Sequence, residues 1–214
     1  MKKRLIIFDF DGTLADTNAL ITKTMMMTIA EMGYEERTRK ECAQCIGLPL
    51  VECFKKLYPI SDEEGERCAE TYRRLFEENN VAGEVELFPH VAETIKLLYA
   101  EGYLLTIATS RNHRSVVQFL EDFGLESYFS YILGADDVER AKPDPFPVLK
   151  TMDDMGCLPA ETLVVGDMSF DILMGQRAGA QTIGVTYGNG TLSELQECHA
   201  DYIINDLGDI VRFV

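Results

Sequence analysis

No apolar run in this 214-residue chain approaches the ~20 residues needed to span a bilayer, so a helical membrane protein is excluded. Positive charge is scarce too. Twenty Lys and Arg face 36 Asp and Glu, a formal charge of −16. A field of that sign repels nucleic acid and anionic membranes. It also repels a phosphorylated metabolite at long range, so an anion site here has to be made locally positive by a metal ion, a few cations or helix N-termini. Cysteines number six, at 42, 45, 53, 68, 157 and 198, too few and too scattered for a disulfide framework in a chain of this length. They are expected to be reduced, mostly buried thiols. Cys42-Ala-Gln-Cys45 has the spacing of a redox or zinc pair, but no second CxxC or closely spaced histidines complete a zinc site. The opening Met1-Lys2-Lys3-Arg4 is followed by an apolar stretch broken at Asp9 and Asp11, too short for the core of a signal peptide. The expected location is cytoplasmic. No repeat or low-complexity tract is present.

Apolar residues make up 46% of the chain, enough for a real core. Leu5 to Phe8 is a continuous apolar run, the pattern of a buried parallel strand, and it ends in Asp-Phe-Asp-Gly. Similar runs recur at Leu104–Ala108, Tyr131–Leu133, Leu163–Val165, Thr182–Val185 and Tyr202–Ile204. Helical stretches alternate with them: Val91–Ala100, Arg114–Phe123, Pro145–Met155 and Phe170–Ala178. Such alternation predicts an α/β fold, a doubly wound parallel sheet with helices on both faces.

Residues 17–82 interrupt the alternation. Ile21, Met25, Ile29 and Met32 recur at helical spacing, and Gly33 can end that helix. Met25-Met26-Met27 is expected to be a packed helix face. Ser61-Asp62-Glu63-Glu64 has the form of a capping box leading into Cys68, Tyr72, Leu75 and Phe76. The expected division is an α/β core of residues 1–16 and 83–214 with an all-helical insertion, 17–82, after the first strand. Ligands of open α/β sheets bind at that strand edge, so the insertion is a candidate lid.

Asp9-Phe10-Asp11-Gly12-Thr13-Leu14-Ala15-Asp16 carries the strongest chemical signal. Carboxylates two apart lie on one side of an extended chain, and Gly12 lets the backbone turn away. Two close carboxylates either share a proton or bind a hard cation such as Mg²⁺. Asp16 is expected to cap the first helix of the insertion or brace the loop.

This octad resembles the first motif of the haloacid dehalogenase-like (HAD) hydrolase superfamily, DxDGTLxD. Three further motifs follow in order: Ile107-Ala108-Thr109-Ser110, Lys142-Pro143-Asp144-Pro145, and Gly166-Asp167-Met168-Ser169-Phe170-Asp171. The resemblance covers the whole chain, and the phosphoglycolate phosphatase and β-phosphoglucomutase-like branch is the nearest group. It implies a Rossmannoid core with a type-1 helical cap and a Mg²⁺-dependent phosphatase. By the resemblance, Asp9 is nucleophile and metal ligand. Asp11 offers its backbone carbonyl to the metal and its side chain as general acid and base. Asp167 completes the metal ligands, with Asp171 close behind. Thr109 and Lys142 bind the phosphoryl oxygens, and Ser110, Arg111 and Gly47 are candidate substrate contacts. Gly47 belongs to Ile46-Gly47-Leu48-Pro49-Leu50, which resembles the substrate-specificity loop of the cap. Where relatives commonly have Pro-Gly-Val on the return from the cap, this chain has Pro89-His90-Val91, and His90 is expected to be exposed at a helix start.

Asp11 argues against dehalogenation and phosphonate cleavage, since those relatives lack the second aspartate. Ile21 stands where mutases of the branch carry a histidine. What survives is hydrolysis of a small phosphorylated metabolite, with mutase-like phosphoryl transfer or a non-catalytic binding module as alternatives. Phosphoglycolate, sugar phosphates, nucleoside monophosphates and pyrophosphate all fit, and so does either a monomer or a homodimer.

Overall fold

The computed structural model describes residues 3–81 and 83–214. Met1, Lys2 and Ala82, the last being the expected end of the insertion, lie outside the described residues. Six strands form one parallel sheet: β1 (Leu5–Phe8), β4 (Leu104–Ala108), β5 (Tyr131–Leu133), β6 (Thr162–Gly166), β7 (Gln181–Val185) and β8 (Tyr202–Ile204), in the order β5-β4-β1-β6-β7-β8. All six expected strands are present, within a residue at each end. The order reverses at β1, the switch point where open α/β sheets bind ligands.

β1 is wholly buried, and its residues divide between two cores, as strand alternation requires. Leu5 and Ile7 face a cluster with Val148 and Met152 of α7 (Phe146–Met155) and Met174 of α8 (Ser169–Arg177). Ile6 and Phe8 face the opposite cluster, with Ile95 and Leu98 of α5 (Val91–Ala100) and Val116, Phe119 and Leu120 of α6 (His113–Asp122). A short helix, α9 (Leu192–Glu197), was not foreseen from the sequence.

Between β1 and α5 the chain forms α1 (Asn18–Glu31), α2 (Arg39–Ala43), α3 (Leu50–Leu57) and α4 (Asp62–Asn79), with no strand from α1 to α4 among the described residues. Ile21, Met25 and Ile29 are buried on α1, and Gly33 takes the left-handed conformation (φ +72°) just beyond it. Met25 is packed while Met26 is 41% exposed, so the methionine triplet straddles the edge of the buried face. Ser61 and Glu64 form the reciprocal capping box expected at the start of α4. The insertion and the core share one apolar cluster, joined where Phe76 of α4 meets Phe119 of α6, which in turn meets Phe10.

Two strands of two residues, β2 (Ala15–Asp16) and β3 (Glu86–Leu87), pair antiparallel where the chain leaves for the insertion and returns from it. The sequence gives no sign of them, because two residues are too few to show a period. They also correct the expectation that Asp16 caps α1. It lies exposed on β2, and the N-cap position of α1 is Thr17, which makes no side-chain capping bond. His90, at the N-cap of α5, adopts φ +61°, the left-handed region that favours glycine. Its Nδ1 lies 2.6 Å from Asp206 Oδ2, and this contact raises the imidazole above its ordinary 6.5 and lowers the Asp206 carboxyl. All six cysteines are free, five of them buried. No helix among the described residues is long and apolar enough to cross a membrane.

Candidate active site

Parallel register gathers the motifs at one sheet edge. Phe8 pairs with Ile107 on one side and Val165 on the other, so Asp9, Thr109 and Asp167 leave the sheet side by side. The Asp9 N–H extends the ladder to the Val165 carbonyl at 2.9 Å. Gly12 then turns the chain at φ +89°. A Cβ there would fall 2.3 Å from Asp167 Oδ2 and 2.3 Å from the Asn189 amide nitrogen, so only glycine fits.

Asp9, Asp167 and Asp171 are buried, with carboxylate oxygens within 4.8 Å of one another. Lys142, its side chain 3% exposed, lies among them: Nζ donates to Asp171 Oδ1 at 2.6 Å and stands 2.7 Å from Asp9 Oδ1. The contact with Asp9 is an ion pair without hydrogen-bond alignment, so Asp9 Oδ1 is a buried oxygen with no hydrogen-bond partner. Burial, then the Asp171 charge, push the Asp9 and Asp167 carboxyls well above the usual range; Lys142 opposes this at Asp9. Burial works against the charge on Lys142, but Asp171 and Asp9 outweigh it and its pKa rises. Three buried carboxylates against one ammonium leave a negative surplus that a low-dielectric interior tolerates poorly. Close-set hard donors and surplus negative charge are what a divalent cation such as Mg²⁺ would satisfy, so these residues fit one.

Asp171 spends both oxygens on the protein. Oδ1 accepts from Lys142, and Oδ2 accepts from the Met168 backbone N–H at 3.0 Å. Asp167 Oδ1 accepts from Thr13 Oγ1 at 3.1 Å, while Oδ2 accepts from the Asn189 backbone N–H at 2.7 Å.

The Asp11 carboxylate stands outside the group of acids that could hold a cation. It is turned to the other side of the site. Arg111 Nε and Nη2 reach its carboxylate at 3.0 and 2.6 Å, and Thr17 Oγ1 donates to it at 2.7 Å. Arg111 is itself buried, with its guanidinium against the rings of Phe76 at 4.8 Å and Phe119 at 5.1 Å. Burial disfavours its charge, but Asp11 more than compensates, and the pKa of Arg111 rises. Phe76 comes from the insertion, so one guanidinium ties the insertion, α6 and Asp11 together. Sequence reasoning named Arg111 only as a substrate contact, because its partner lies 100 residues away.

Ser110 Oγ donates to the Gly47 carbonyl at 2.7 Å, a direct bond between core and insertion. Thr109 Oγ1 accepts from the Arg111 backbone N–H at 3.2 Å. The structure thus brings together Asp9, Asp167, Asp171 and Lys142 in one cluster and Asp11 with Arg111 in a second. Ser110 and Gly47 form a third contact. Sequence reasoning missed Thr13, Thr17 and Asn189. The Gly188-Asn189-Gly190 loop beyond β7 could have been singled out, since glycines at a strand edge mark a close backbone approach.

Residues 6–185 match the haloacid dehalogenase-like hydrolase family. Pyrophosphatase PpaX of Halalkalibacterium halodurans is 35% identical over 216 aligned residues, covering 100% of this chain and 98% of that protein. Pyrophosphatase PpaX of Oceanobacillus iheyensis is 38% identical with the same coverage. A solved structure described as a predicted phosphoglycolate phosphatase from Haemophilus somnus superimposes with a TM-score of 0.90 at 25% identity, over 99% of this chain and 98% of that one. The chain belongs to the haloacid dehalogenase-like hydrolases.

Proposed function

We propose that this protein is a Mg²⁺-dependent phosphatase that hydrolyses a small phosphorylated metabolite through a phosphoryl group carried on Asp9. The observation that carries the reading is the buried cluster in which the Asp9, Asp167 and Asp171 carboxylates crowd around the single ammonium of Lys142, 2.7 Å from Asp9 Oδ1. Asp9 and Asp167 through their carboxylates, and Asp11 through its backbone carbonyl, would hold Mg²⁺, with Asp171 next to them holding Lys142. When bound, the ion offsets the like charge of carboxylate and phosphate.

Asp9 attacks phosphorus, and the bond to the leaving oxygen breaks as an acyl phosphate forms. Lys142 and the Thr109 hydroxyl carry the charge of the phosphoryl oxygens. The leaving oxygen takes a proton from Asp11. In this structure Asp11 is clamped by Arg111, and a carboxylate so paired cannot donate. A substrate whose leaving group is anionic draws the guanidinium to itself, and the freed Asp11 takes up a proton from solvent that it passes to the leaving oxygen. Water then attacks the acyl phosphate, Asp11 accepts its proton, and Asp9 and phosphate separate. Phosphoglycolate and pyrophosphate both have such leaving groups, and the PpaX relatives carry pyrophosphatase in their names. Residues 17–82 act as the cap over a core of residues 1–16 and 83–214. Ser110, Arg111 and Gly47 lie where the two meet.

The test is phosphate release from p-nitrophenyl phosphate and a panel of small phosphate esters that includes pyrophosphate. Turnover is expected to need Mg²⁺ and to vanish with EDTA. Undiminished turnover in EDTA would refute the cation, and interconversion of sugar phosphates without phosphate release would favour a mutase.

A further inference from the structure

A chain of hydrogen bonds runs from the insertion to Asp167. Arg39 of α2 donates from Nη2 to Asn18 Oδ1 at 3.3 Å. Asn18, the first residue of α1, donates from Nδ2 to Asn189 Oδ1 at 2.7 Å. Asn189 donates to Asp167 Oδ2 through its backbone N–H at 2.7 Å and its side-chain Nδ2 at 3.2 Å. Every donor points the same way, from the guanidinium toward the carboxylate. Each link fixes the next amide: because Asn189 Oδ1 is taken by Asn18, its Nδ2 faces Asp167.

The loop bearing Asn189 is pressed onto Asp167. A Cβ at Gly188 would fall 2.5 Å from Asp167 Cβ, and one at Gly190 would fall 2.0 Å from the Asp167 carbonyl oxygen. Asn18 and Asn189 are only half-buried and line an open cleft of about 290 Å³ with Arg39 and Tyr187. Their side chains are therefore not needed to fill the core, and their bonds serve to aim Asp167.

We propose that Asn189 is a positioning residue for Asp167, oriented by Asn18 and Arg39, and that this relay makes docking of the insertion and binding of a divalent cation at Asp9 and Asp167 cooperative. The proposal rests on the cation reading given above. A carboxylate already held in orientation loses less freedom on binding a cation, and partners that hold metal ligands strongly influence metal affinity. Arg39 belongs to the insertion and Asp167 to the core, so whatever docking adds to cation affinity, the cation adds to docking.

The experiment is calorimetric titration of the full chain with Mg²⁺ alone. Wild type is expected to bind, and Asn189→Ala to bind about 10–100-fold more weakly. Asn18→Ala is expected to lose less, and the double variant to be no weaker than Asn189→Ala, since Asn18 acts through Asn189. If Asn189→Ala does not fold, Asn18→Ala carries the test. Hydrogen exchange gives a second readout. Mg²⁺ is expected to slow exchange at α2 in wild type and to leave it unchanged in Arg39→Ala. Wild-type Mg²⁺ affinity in both asparagine variants, or strictly additive losses, would overturn the relay while leaving the cation reading in place. Absence of Mg²⁺ binding to wild type would overturn both.

Discussion

The two sides of the site treat the same residue type in opposite ways. On the core side, Asp9 is enclosed with two other acids and one lysine, and one of its oxygens has no hydrogen-bond partner. On the insertion side, Asp11, two residues along, is held by Arg111 and by Thr17. The first environment concentrates negative charge around one ammonium; the second neutralises charge and occupies the carboxylate. An attacking group needs the former, and a proton carrier that waits for substrate is served by the latter. In the proposed reaction, environment rather than identity divides the work between the two aspartates.

Breaking the core side has the largest expected effect. Asp9→Asn removes the nucleophile, and kcat is expected to fall roughly 10⁴–10⁶-fold with the fold intact by circular dichroism. Retained turnover would remove Asp9 from that role. Lys142→Met leaves Asp9 and Asp171 buried without their counter-ion. Urea denaturation without Mg²⁺ is expected to show a loss of about 3–5 kcal/mol, and a change below ~1 kcal/mol would mean that the cluster is not paired as described.

The insertion side sharpens the contrast. Asp11→Asn is expected to lower kcat by about 10²–10⁴-fold while Mg²⁺ affinity stays close to wild type, because the Asp11 side chain is held by Arg111 and Thr17. A parallel collapse of Mg²⁺ affinity would place the Asp11 side chain on the metal and erase the distinction.

Much of this architecture was legible in advance, and the reasons differ by element. β1, β4 and β6 read as strands because both of their faces are buried, which produces continuous apolar runs. The position of Asp9 and Asp167 follows, since Asp9 directly succeeds such a run and Asp167 follows one after a single glycine. The orientation of Asp11 was not legible. It depends on Arg111, 100 residues away, and on rings brought by α4 and α6. Asn189 escaped for a related reason, as its loop meets Asp167 only because β7 lies beside β6. Local pattern places a residue at the sheet edge, and long-range packing decides which way its side chain turns.

The smallest effect belongs to the far end of the return from the insertion. His90 holds a left-handed conformation with Asp206 beside it. The raised His90 pKa adds stability that is fully present below pH 6.5 and is lost as pH rises through the folded value. The lowered Asp206 pKa adds stability present above 3.8 and lost as pH falls. The pair therefore favours the fold most between those limits. His90→Gly relieves the backbone, so its melting temperature is expected to exceed wild type most at pH 8, with the gap narrowing near pH 5. A gap independent of pH would show that the pair contributes nothing.

The most direct test of the central claim is to quench turnover in acid with Mg²⁺ present and find the phosphoryl group by peptide mass spectrometry. The account predicts one phosphoryl group on the peptide containing Asp9, absent from Asp9→Asn and from samples treated with EDTA. A phosphoryl group on any other residue, or wild-type turnover in Asp9→Asn, would contradict it.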